Sequence, residues 1–238
     1  MWKCVLCSVR NYGKARFDRE SALCRGCSST WRARAMALSI TTSLGYEPKQ
    51  LGEIHPDWSR VGLGISDDVE LSSRLSTKFF YSNTFFDAFP NLDIRKIPSI
   101  AQAAFEFVSC SDVLEHIDVD VDKAIRGISK LLKPDGFAVL SVPITHTAER
   151  MEFYPKLKTF SVSGETVNWV DQSGKKFIDK SPEFHGGRGQ NLAFRQFTDE
   201  SFRKLVLANG FASIAHGWVA PALGVPNDEL AGVYVARL

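Results

Sequence analysis

The chain is poor in the features that mark membrane, secreted or polyanion-coating proteins. No apolar run among its 238 residues approaches the roughly 20 that a bilayer-spanning helix needs. Met1-Trp-Lys-Cys leads into a cysteine pair with no apolar h-region, so no secretory signal is expected and the expected compartment is the cytoplasm. The net charge is only +2, which gives no bulk electrostatic reason to bind nucleic acid. With five cysteines and a reducing compartment, metal ligands are a better reading than disulfides. Apolar residues make up 44%, enough to build a core, and the length suits one main domain plus a small accessory unit.

What charge there is lies unevenly. Residues 1–40 hold eight basic side chains against Asp18 and Glu20, so the remainder is net acidic. The same region holds Cys4-Val-Leu-Cys7 and Cys24-Arg-Gly-Cys27, two C-x2-C pairs separated by sixteen residues. Each pair presents two thiolates on one side of a tight turn, and two such turns close a tetrahedral S4 shell suited to structural Zn²⁺. An iron site of the same geometry is the alternative. So short a unit has little core of its own, and the metal would supply its folding energy. The basic residues either offset the negative charge of such a centre or form a nucleic-acid contact surface. Interleaved aromatics are few (Trp2, Tyr12, Phe17, Trp31), which favours the first reading. A helix is expected from Trp31 to Leu44, capped by Ser28, Ser29 or Thr30 and ended by Gly45 and Pro48.

The most informative stretch is Phe105-Glu-Phe-Val-Ser-Cys-Ser-Asp-Val-Leu-Glu-His-Ile117, followed by an amphipathic run and Leu131-Leu-Lys-Pro-Asp-Gly-Phe-Ala-Val-Leu-Ser-Val-Pro143. It reads as strand, acidic turn, helix, Pro-Asp-Gly turn and strand. This pattern resembles the centre of class I S-adenosylmethionine-dependent methyltransferases of the type 11-like subgroup. The resemblance implies an α/β fold: a Rossmann-like seven-stranded sheet with helices on both faces, here with a small amino-terminal Cys4 zinc unit and a β-rich insert after strand five. It implies S-adenosylmethionine as cofactor beside the structural zinc. The expected division is 1–30 for the zinc-ribbon-like unit and 31–238 for the methyltransferase domain, with 144–197 as a substrate-side insert.

Residues 59–66 read as a first strand entering a glycine-containing turn, where a backbone can approach a ligand closely. Gly62 and Gly64 match the first two glycines of the family's cofactor loop, while Arg60 replaces its acidic residue and Ser66 its third glycine. Asp67, Asp68 and Glu70 then either suit the dipole of a helix start or touch the cofactor's amino group. Asn83 and Thr84 end the next expected strand, where the family binds ribose hydroxyls. Asp93 lies twelve residues before Phe105, at the spacing of the adenine-contacting acid in similar enzymes; a turn cap is its plainer role. Ser111, Asp112, Glu115 and His116 follow the fourth strand and should stand at the mouth of the site.

From Ile144 to Phe197 the chain leaves the family pattern. Residues 159–170 and 175–179 read as strands around a turn at 171–174, and a glycine-rich stretch follows that bears His185. A well-capped helix from Thr198 and two closing strands, 211–219 and 231–238, complete the chain, with Val225-Pro-Asn-Asp-Glu as a turn between them. Hydroxyl methylation needs a proton acceptor, and among the five histidines His116, His146 and His185 are the candidates. Each also has an ordinary structural role available. No separate catalytic metal constellation is visible in the sequence. Cys110 should be a buried thiol. The resulting expectation is O-methylation of a saccharide or other small polar metabolite, in keeping with a subgroup associated with polysaccharide pathways. An RNA methyltransferase gripping nucleic acid through its zinc unit and a non-catalytic cofactor-fold module are the alternatives. Oligomeric state is not legible.

Overall fold

A computed structural model describes residues 1–12, 19–20, 22–47, 49–146, 151–185, 189–225 and 232–238. The expected helix stop at Pro48, the glycines of 186–188 and the turn at 226–229 lie outside the described residues.

The alternation of the central strands explains how two cores form. In β5 (Phe105–Ser111) and β6 (Leu132–Ser141), Phe107, Phe137 and Val139 face one core, while Val108, Ala138 and Leu140 face the other. β13 (Val233–Arg237) repeats the pattern, with Val233 and Val235 against Tyr234 and Ala236. A period of two with both faces apolar requires a sheet covered on both sides. α1 (Trp31–Ser43) and α2 (Val69–Leu75) cover the first face; α3 (Val121–Leu131) and α4 (Asp199–Leu207) cover the second.

With β3 (Asp57–Ile65), β4 (Phe79–Thr84) and β12 (Ser213–His216), the sheet has six strands in the order β12-β13-β6-β5-β3-β4. β4, β3, β5 and β6 are parallel, and β13 and β12 close the far edge antiparallel. Among the described residues the expected seventh strand is absent. Residues 85–104 contain Pro90 and Pro98, each lacking an amide donor, and make only an isolated bridge at Phe85 and Asn91. Ile94 is buried singly from a turn, and β4 becomes the open edge, with Phe80 67% exposed.

The helix signals translate closely. Thr30 caps α1 by accepting from the Ala33 amide, and Thr198 caps α4 through a reciprocal pair with Ser201. Val119 lies outside α3, and Leu132 already belongs to β6. Lys133-Pro-Asp-Gly136 forms an irregularity within β6, with Asp135 at φ 65°, rather than a separate turn before it. The insert carries β8 (Leu157–Ser163), β9 (Thr166–Asp171) and β10 (Lys176–Asp179) as a three-stranded antiparallel sheet. The single strand expected over 159–170 is split at Gly164, whose φ of 60° turns the chain back. Two short strands, β7 (Met151–Glu152) and β11 (Arg195–Gln196), pair across the base of the insert, and Arg195 ties it to the main domain by donating to the Leu114 carbonyl.

At the amino end, β1 (Trp2–Lys3) pairs with β2 (Arg10–Asn11). Trp2, Cys4, Val5 and Leu6 belong to the same buried cluster as α1 and the sheet face beneath it. The cysteine unit and the sheet thus share one core.

Candidate active site

A cleft of about 980 Å³ opens at the carboxyl ends of β3 and β5. Sheets of this topology place ligands there because the strand order reverses between β3 and β5, leaving a crevice. Ser66, Asp93, Ser111, Asp112, His116 and His185, all expected at the site, line it.

The cleft floor is a charged network. Arg19 donates to both carboxylate oxygens of Asp112 at 2.8 and 2.9 Å. Arg32, near the start of α1, is buried and donates to Ser111, with Glu20, Asp68 and Asp112 as ionic partners at 2.8, 3.3 and 3.1 Å. Burial works against ionisation of Asp112, but Arg19 and Arg32 outweigh it and hold the carboxyl below its usual value. Burial also opposes the charge on Arg32, and its acidic partners, Asp112 foremost, prevail and raise its pKa. The fixed positive and negative groups side by side suit a zwitterionic amino-acid moiety.

Beyond β4 the cleft is walled by Phe86, Asp87, Leu92 and Ile94. Asp93 is gripped by Arg95, which donates to it at 2.9 Å and to Asp118 at 2.7 Å. The hydrogen bond from Arg95 lowers the Asp93 pKa.

Four expected cofactor residues do not line the cleft. Gly62 and Gly64 are interior to β3: a Cβ at Gly62 would enter the Phe107 ring, and one at Gly64 would strike the Tyr81 hydroxyl. They are packing glycines, and the turn follows them at Ser66, which takes φ 55° in place of a glycine. Asp67 is buried beneath the cleft and accepts from Tyr81 and Ser109, both at 2.5 Å. Burial raises it to about 6 against these two hydrogen bonds. Asn83 braces that turn by accepting from the Asp67 amide and donating to its carbonyl. His146 is exposed and also stands outside the lining.

Opposite the charged floor, the insert meets the strand-end residues. The Phe194 amide donates to the Glu115 carbonyl, and the His185 amide to the Asn191 carbonyl. His116 Nε2 and His185 Nδ1 come to 3.2 Å. Attraction to Glu115, then to Glu183 against the cost of burial, raises His185 to about 9.

In the amino-terminal unit, Cys4 and Cys27 sulfurs lie 3.8 Å apart, Cys7 and Cys24 sulfurs 3.5 Å apart, and all four fall within 4.8 Å of one another. Ligands on bonds of about 2.3 Å around a tetrahedral ion stand ~3.8 Å apart, so the dimensions fit. Ser8 and Ser28, each following a C-x2-C pair, both adopt positive φ. Burial opposes ionisation of Cys24, yet hydrogen bonds from the Gly26 amide and Asn11 bring its thiol down to about 6. Arg34 is fully buried beside the cysteines, stacks on Trp2 at 4.4 Å and donates to the Ser29 and Gly224 carbonyls.

A family model described as a methyltransferase domain matches residues 63–216. The chain belongs to that family. It is an S-adenosylmethionine-dependent methyltransferase of class I, with the mixed Rossmann-like sheet described above. Among solved structures, the chain is similar to the sugar N-methyltransferase KedS8 from a Streptoalloteichus species, at 13% identity and a TM-score of 0.51, covering 97% of this chain and 96% of that one. It is also similar to SAM-bound CalS10, an amino pentose methyltransferase from Micromonospora echinaspora, at 15% identity and TM-score 0.49, covering 95% and 99%. No curated protein matches it.

Sequence reasoning missed Arg19, Glu20, Arg32, Phe86, Asp87 and Arg95 as members of the methyltransferase cleft. For Arg32 a signal existed: Arg32 and Arg34 occupy the first turn of α1, where the helix dipole disfavours cations, so anionic partners were required.

Proposed function

We propose that this methyltransferase methylates a hydroxyl of a saccharide or other small polar metabolite. The observation that carries the reading is the pairing of two groups across one cleft. On one side, Arg19, Arg32, Asp68 and Asp112 match the carboxylate and ammonium of the cofactor's methionyl part. On the other, the His116–His185 pair forms a polar end of the cleft that faces the acceptor oxygen. Asp93 and Asp87, with Ile94 between apolar walls, suit the adenosyl part. The protein's task is then to align acceptor oxygen, methyl carbon and sulfonium, while the cofactor supplies the activated methyl group. KedS8 is a sugar N-methyltransferase, which agrees with an acceptor of this size but not with the choice of oxygen. Incubation with S-adenosylmethionine and matched hydroxyl and amino sugars, followed by mass analysis, tests the choice. Methylation of amino sugars alone would overturn the hydroxyl assignment.

The four cysteines, in this reading, hold a structural zinc ion. Their spacing and the buried Arg34, which offsets thiolate charge, support it. Of the basic residues behind the RNA alternative, Arg32 and Arg34 are buried and Arg19 is engaged with Asp112, which weighs against it. These three charges are spent inside the protein rather than presented to a polyanion.

A further inference from the structure

Among the described residues, Glu115 is the buried carboxylate with both oxygens unpartnered. It is 1% exposed, and neither carboxylate oxygen has a hydrogen-bond partner. Leaving a buried carboxylate so placed is costly unless a cation meets it. Its Oε1 lies 3.8 Å from His116 Nε2 and 3.6 Å from His185 Nδ1, and those two nitrogens are 3.2 Å apart. Three ligand atoms bound at about 2.0–2.1 Å to a tetrahedral ion stand ~3.3 Å from one another.

The other nitrogen of each ring is already committed. His116 Nδ1 faces the Leu192 carbonyl at 2.9 Å, so it carries a proton and leaves the Nε2 lone pair free. His185 Nε2 faces the Glu183 carboxylate at 3.1 Å and is likewise a donor, so Nδ1, which faces His116, is the nitrogen that would exchange its proton for a metal ion. Glu183 is fixed in turn by Gln196 at 2.8 Å. Outer partners of this kind, a carbonyl and a carboxylate, are what orient metal-ligating imidazoles. His116 Nε2 and His185 Nδ1 point at one another and at a carboxylate, a meeting that a metal ion satisfies in place of a shared proton.

We propose that Glu115, His116 and His185 form a second metal site, distinct from the cysteine unit, that takes a divalent ion of the zinc class. Two imidazoles and a carboxylate leave a fourth position, and His116 and His185 both line the cleft, so that position opens onto it. There the ion holds and polarises an acceptor oxygen. This role, unlike the site itself, rests on the reading of the cleft as the acceptor pocket.

The test is a metal count on the full chain. Protein with its cysteine unit loaded is dialysed against micromolar Zn²⁺, and bound zinc is measured for the wild type, Glu115→Gln and His185→Ala. The wild type should hold one equivalent more than either variant. The difference is the readout, so it does not depend on the cysteine occupancy. Glu115→Gln keeps the side chain's shape, and a matching melting curve guards against misfolding. Glu183→Gln should keep the site but weaken it about 10- to 100-fold. Equal zinc in all chains would overturn the proposal. S-adenosylhomocysteine affinity, measured on the same samples, reads the cofactor assignment separately: retained affinity with equal zinc removes the metal site alone.

Discussion

At the residue scale, Arg32 links helix and site: it lies in the first turn of α1 and holds Ser111, Asp68 and Asp112 in place. Replacing it by methionine removes the charge but keeps the stem. S-adenosylhomocysteine should then bind at least about tenfold more weakly, ~1.4 kcal/mol, as calorimetry would register. An unchanged affinity would remove Arg32 from the cofactor site. Gly64 teaches the opposite lesson. The glycine spacing suggested a ligand approach, but the space is filled by Tyr81 and Asn83. Gly64→Val should therefore lower the melting temperature by overpacking, at about 1–3 kcal/mol, and loss of cofactor binding without destabilisation would contradict this. Asp67 adds a pH signature. Its folded pKa of about 6 exceeds the ordinary 3.8, so the folded state favours the protonated acid. Its stabilising effect is full below 3.8 and is lost as pH rises through 6. Ionised, the group costs up to about 3 kcal/mol. Asp67→Asn should flatten the fall in melting temperature between about pH 4 and pH 6. An equal slope in both proteins would place the titration elsewhere.

At the element scale, local signals were legible wherever the chain announced its own boundaries. Thr30 and Thr198 cap the helices they were expected to cap, and β5 runs from Phe105 to Ser111 as the apolar stretch implied. The misreadings came where distant contacts decide. The expected edge strand fails because prolines and short turns between β4 and β5 leave no ladder. The ribose-side Asn83 is taken up in bracing the turn after β3, and Asp87 lines the cleft instead. The cysteine unit joins element to site, because α1 leaves it directly and carries Arg32. Cys24→Ser should lose zinc, lower the melting temperature and weaken S-adenosylhomocysteine binding together. Full zinc content with an unchanged melting curve would contradict the four-thiolate site.

At the scale of the whole molecule, the chain reads as three parts that build one cleft: a cysteine unit giving Arg19, a sheet giving Ser66, Ser111 and Asp112, and an insert giving His185. The family was legible because the strand-end motif at 105–117 is long and local. The pairing of His116 with His185 was not, since it spans 69 positions and depends on how the insert folds back. Nor was the inward turn of Arg19, Arg32 and Arg34, which the sequence shows only as part of a basic cluster. Among the described residues no helix is long and apolar enough to cross a membrane. The central claim is that the cleft beside Arg32 and Asp112 holds the cofactor despite Ser66 in place of a glycine in its loop. Calorimetric titration of the zinc-loaded protein with S-adenosylmethionine and S-adenosylhomocysteine tests it most directly. Binding of both in the micromolar range is the predicted result, and no heat of binding at millimolar cofactor would contradict it.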